Sequence, residues 1–131
     1  MAVPLSMFSC YDETHMELFT KNVVEIIGRI PRGNVSTYGR ISCLAGRPGS
    51  ARQVARILHS LSRKYDLPWH RVVNISGKIS LPEHSGYYEQ KAMLIDEGIV
   101  FDMQDRIDFD RFLWRPDPEW HPEVGTGGLL S

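Results

Sequence analysis

Two cysteines in 131 residues are too few for a disulfide scaffold, and Cys10 and Cys43 form no CxxC pair of the kind that holds zinc. The five histidines, at 15, 59, 70, 84 and 121, lack ligand spacing, so no metal or cofactor is expected. Apolar runs stay far below the roughly 18–20 residues that a membrane span requires, so no membrane role is expected. The opening Met1-Ala2-Val3-Pro4-Leu5-Ser6 puts no basic stretch ahead of an apolar one, and no secretion signal is visible. The expectation is one intracellular domain.

The scarcity that matters most is of acids in the middle of the chain. Between Lys21 and Ser80, 11 Lys and Arg stand against only Glu25 and Asp66, a surplus of +9. The remaining residues hold 4 Lys and Arg against 14 acids, or −10, so the net charge of −1 conceals two opposed blocks. Eight of the eleven central cations are arginine, the planar and always charged residue suited to phosphates and bases. Such asymmetry points to an anionic polymer as partner.

The periodicity predicts a small, mainly helical α+β domain with a winged helix-turn-helix core. Thr14 and Glu17 have capping-box spacing, and Met16, Phe19, Val23, Ile26, Ile27 and Ile30 recur as one face of a helix over about 15–29. After the turn 31–34, a second helix from Ser36-Thr37 buries Ile41, Leu44 and Ala45 and stops at Gly46, with Cys43 as a small core residue. Ser50 and Gln53 suggest a second capping box for a helix over about 51–63. Its buried stripe is Val54, Ile57, Leu58 and Leu61, and its other face is Arg52, Gln53, Arg56, His59 and Arg63. An outer face nearly free of acids is unlike an ordinary solvated helix, which mixes signs. Segments 71–74 and 78–81 read as a hairpin wing, 85–97 as a helix ended by Gly98, and 99–101 and 106–109 as short strands. Residues 1–14 read as an N-terminal extension and 15–115 as the domain. Residues 116–131, with three prolines and three glycines, read as a disordered tail.

Pro68-Trp69-His70-Arg71-Val72 puts an indole beside a histidine where a thiol would make chemical sense. Indole donates one hydrogen bond and offers a flat apolar face to bases and cations, but it is no nucleophile. The stretch is suited to holding an aromatic group, or Trp69 is simply a core residue.

Four segments together resemble the DNA-binding domain of O6-alkylguanine-DNA alkyltransferases: 31–39 (Pro-Arg-Gly-Asn-Val-Ser-Thr-Tyr-Gly), 50–54 (Ser-Ala-Arg-Gln-Val), 68–74 (Pro-Trp-His-Arg-Val-Val-Asn) and Glu97-Gly98. Tryptophan where that family has its reactive cysteine resembles the alkyltransferase-like proteins. The resemblance implies a protein, not an enzyme, that binds O6-alkylguanine in double-stranded DNA by nucleotide flipping and marks it for nucleotide-excision repair proteins. It would act as a monomer in the cytoplasm or nucleoid of a bacterium or the nucleus of a eukaryote. It further implies that Tyr38 rotates the nucleotide and that Arg52 fills the vacated stack, with Trp69 and His70 forming the lesion pocket. Glu97 and Asn74 are then structural remnants of the family site, and Arg71 ties loop to core. Ser36, Thr37, Gln53, Arg56 and Lys64 are expected at phosphates or the groove. The loop Ser80–Ser85 lacks an arginine that some relatives carry there. Two alternatives stand beside this reading: a sequence-specific winged-helix regulator, and an active alkyltransferase using Cys10 or Cys43.

Overall fold

In the computed structural model, which describes residues 17–122, the first helix is the spine of the protein. α1 (Leu18–Arg29) buries Phe19, Val23, Val24, Ile26 and Ile27 together with Asn22 and Glu25. A helix buried on nearly every side is a central core element, with each large side chain contributing roughly 1.5–3 kcal/mol of burial. Its start is later than anticipated. Glu17 occupies the extended N-cap position without a capping bond, and its carboxylate is paired with Arg47 instead. Thr14 lies outside the described residues.

α2 (Tyr38–Leu44) and α3 (Ala51–Leu61) pack on one another and on α1, forming the anticipated helix-turn-helix. Thr37 caps α2 by accepting the Arg40 amide at 3.1 Å. The second capping box does not form: Ser50 makes no capping bond, and Gln53 accepts from Arg47 at 3.1 Å. Cys43 is exposed rather than in the core, because α2 turns Ile41 and Ser42 inward.

Beyond α3 a 3-10 turn, Trp69–Arg71, leads into β2 (Val72–Val73), which pairs in parallel with β1 (Ser36–Thr37) in the register Ser36 with Val72 and Thr37 with Val73. Successive strand residues point to opposite faces, and this two-residue strand is a partition. Val72 joins the helical core of α1–α3, whereas Val73 joins a second core with Val35, Ile79, Leu94, Ile99, Ile107 and Phe112.

The second half departs from the sequence expectation. The hairpin wing is only a turn: the Asn74 amide donates to the Lys78 carbonyl at 2.9 Å, and no strand follows among the described residues. Asn74 Oδ1 closes it by accepting from the amides of Ser76 and Lys78 at 2.9 and 3.0 Å. Gly77 sits at φ +77 under the Ile107 carbonyl, which a Cβ would approach to 2.8 Å, so the turn requires glycine. Segments 99–101 and 106–109 are not strands; a single antiparallel bridge joins Phe101 to Ile107. Asp108 instead caps a short helix, α5 (Phe109–Phe112), accepting the Asp110 amide. α4 (Tyr87–Asp96) is shorter than 85–97 because Gly86, at φ +108, breaks the backbone before it. The expected loose tail is packed at its start: the Trp120 ring lies 5.9 Å from Trp114 and 5.9 Å from the Arg29 guanidinium. Residues 123–131 lie outside the described residues.

Candidate nucleic-acid interface

Glu97 is the hub of a buried knot behind the 3-10 turn. Its side chain is 4% exposed, and it terminates α4, followed by Gly98 at φ +94. The carboxylate accepts from His70 Nε2 at 2.7 Å, from Arg71 Nη2 at 2.8 Å and Nε at 3.0 Å, and from the Gly33 amide at 3.1 Å. Burial pushes the carboxyl upward, but the bonds from Arg71, His70 and Gly33 outweigh it and hold the pKa at about 2. Arg71 also donates to the Ile30 carbonyl at 2.8 Å. One ion therefore ties the α1–β1 connection, the 3-10 turn and the end of α4 together. His70 is further fixed by its backbone, whose carbonyl accepts from the buried Gln90 at 3.0 Å. Its other ring nitrogen, Nδ1, is buried with no hydrogen-bond partner.

In front of this knot lies an open cleft of about 1600 Å³ between α3 and α4. Tyr38, Arg52, Trp69 and His70 all line it, although the sequence separates them by more than thirty positions (38 to 70). Tyr38 begins α2 and is half-buried; burial raises its phenol pKa, partly opposed by a hydrogen bond to Ser80. Arg52 projects from the first turn of α3 and is exposed. Trp69 is half-buried and meets the His70 ring edge-on, with centroids 6.1 Å apart at 82°. An aromatic floor, a flanking phenol and a free guanidinium can stack on and enclose a base, while the floor supplies no acceptor for group transfer.

The other anticipated contacts fall elsewhere. Ser36 and Thr37 are buried, at 0% and 5% exposure, with Thr37 Oγ1 committed to its cap. Gln53 and Arg56 line a small neighbouring depression with Glu17, Phe19 and Arg47. Lys64 is exposed, its ammonium 5.4 Å from the Tyr65 ring. Sequence reasoning missed Ser80, whose bond to Tyr38 has no local signal, and the wall formed by α4. The only trace of that wall is the i, i+4 spacing of Glu89 and Met93. Among the described residues no His, Cys, Asp and Glu group is arranged to hold a metal, and no helix is long and apolar enough to cross a membrane.

A helix-turn-helix whose second helix lines a cleft with cations, together with Trp69 and Tyr38, defines the class: a DNA-binding domain with an aromatic-lined cleft. The chain belongs to the family of the 6-O-methylguanine DNA methyltransferase, DNA binding domain, whose model matches residues 18–99. It is 42% identical over 96 residues to the DNA base-flipping protein of Escherichia coli, covering 73% of this chain and 74% of that one. It is 35% identical to alkyltransferase-like protein 1 of Schizosaccharomyces pombe, covering 77% and 98%. That yeast protein in complex with damaged DNA containing O6-carboxymethylguanine superimposes with a TM-score of 0.66 at 34% identity, over 78% of this chain and 99% of the other.

Proposed function

We propose that this protein recognises O6-alkylated guanine in double-stranded DNA by rotating the nucleotide into the cleft, and that it does so without removing the alkyl group. The carrying observation is Trp69 on the cleft floor beside an intact His70–Glu97–Arg71 knot. The family to which the chain belongs and the names of its relatives support the same reading. Tyr38 presses on the phosphate of the rotating nucleotide, and Arg52 enters the space it leaves. Extrusion costs a few kcal/mol, less at a damaged pair, and stacking on one aromatic returns roughly 1–3 kcal/mol per base. The two are of one size, which is why damage can decide the outcome. Group transfer would need a thiolate. Cys43 is exposed on α2 and does not line the cleft. In this reading the protein acts as a monomer wherever chromosomal DNA resides, and it hands the marked site to excision-repair proteins.

Two duplexes differing by a single O6-methylguanine test the proposal. The modified duplex should bind more tightly, and a fluorescent base analogue beside the lesion should report unstacking. Radiolabelled methyl groups should remain on the DNA. Equal binding without unstacking would leave a sequence-reading DNA binder, and label on the protein would make it a transferase.

A further inference from the structure

The two walls of the cleft differ in charge. α3 and the turn that follows it bring Arg52, His59 and Arg63, groups suited to phosphates. α4 brings Glu89, Gln90 and Met93. Gln90 is buried and donates to the carbonyls of His70 and Val72 at 3.0 and 3.1 Å, so its amide is not available to a ligand. Glu89 is exposed in the first turn of α4 and is the one charged group that α4 places on the cleft. Among the described residues it makes no hydrogen bond or ion pair. The other acid lining the cleft, Asp66, follows Arg63 and Lys64 in the chain.

The start of a helix ordinarily attracts anions, through its free amides and its dipole. Here Gly86 occupies the N-cap and brings no side chain, and Glu89 supplies the negative charge from within the first turn. The adjoining loop Ser80–Ser85 has no arginine or lysine to offset it.

We infer that Glu89 is a charge filter on the lesion: it disfavours O6 substituents carrying a carboxylate and leaves neutral ones unhindered. The inference rests on the base-recognition reading above. Its test uses three duplexes differing at one guanine: unmodified, O6-carboxymethyl, and the isosteric neutral O6-carbamoylmethyl. The neutral adduct should bind about three- to fivefold more tightly than the anionic one, the scale of one screened charge contact. Glu89→Gln should bring that ratio close to one, while Glu119→Gln, an exposed acid outside the cleft, should leave it unchanged. A wild-type ratio near one, a ratio that survives Glu89→Gln, or an equal response to Glu119→Gln would overturn the filter and leave base recognition standing. Failure of both adducts to bind better than the unmodified duplex would overturn base recognition itself.

Discussion

Trp69 and His70 are chain neighbours, yet they belong to opposite kinds of structure. His70 is 7% exposed and bonded to Glu97, within a knot that spans three segments. Trp69 is half-buried and lines the open cleft, in company with the exposed Arg52 and the half-buried Tyr38. The tight 3-10 turn sends consecutive side chains in different directions, so anchoring His70 and Arg71 behind it orients the indole in front. The knot spends its hydrogen bonds on placing the rim, and the rim leaves the Arg52 guanidinium exposed to a ligand. Rigid support behind a free contact surface is what precise recognition needs. Stability should therefore depend on the knot and binding on the rim, with little exchange between them.

The largest effect tests the knot. Glu97→Gln keeps the shape but leaves the Arg71 guanidinium, with a side chain 17% exposed, without its counter-charge. Removing one partner of a buried pair costs about 3 kcal/mol or more, readable as a lower denaturation midpoint. The pH dependence has a definite sign. Folding lowers the Glu97 pKa from 4.5 to about 2, so its contribution is complete above about 4.5 and is lost as pH falls toward 2. Wild type should shed stability across that window more steeply than Glu97→Gln. Superimposable pH profiles would show that the ion carries no stabilising load.

The rim should behave inversely. Arg52→Ala removes an exposed side chain and should leave the midpoint within about 0.5 kcal/mol. It should weaken binding to lesion DNA by about 1–3 kcal/mol. Trp69→Ala should lose a comparable amount through stacking, about 1–3 kcal/mol. Tyr38→Ala acts on the same rotation as Arg52→Ala, so the double variant should lose less than the sum of the singles. Strict additivity would separate the two residues into independent contacts and count against a shared flipping step.

The same division decides what the sequence reveals. α1, α2 and α3 were legible because each repeats its apolar residues at helical spacing, as Val23, Ile26 and Ile27 do. The convergence of Tyr38, Arg52, Trp69 and His70 was legible only through resemblance, since nothing local brings α2, α3 and the 3-10 turn to one cleft. Elements held by non-local bonds were misread. β1 and β2 have two residues each, too few for any period, and β2 pairs with a partner 36 positions away rather than with its neighbour (Ser36 with Val72). The wing collapsed to a turn because Asn74 Oδ1, not a second strand, satisfies the amides of Ser76 and Lys78. Ser36 and Thr37 looked like surface hydroxyls, but the strand pairing carries them inside.

The smallest expected effect draws the boundary of the rim. Lys64 lies just beyond α3, exposed, between two residues that line the cleft, Arg63 and Tyr65, while not lining it itself. A flexible ammonium in that position meets phosphates as a screened point charge and reads no base. Lys64→Ala should therefore weaken damaged and undamaged duplexes equally, by under about 1 kcal/mol at moderate salt. It should also reduce the salt-dependence slope by about 1, the release of one counterion. Arg52→Ala, in contrast, should change the ratio between the two duplexes. Titrations of both variants on both duplexes at several salt concentrations separate these outcomes. If Lys64→Ala lowered lesion binding selectively, the recognition surface would extend past the end of α3, and the line between a general phosphate contact and the base-reading rim would have to move outward to include it.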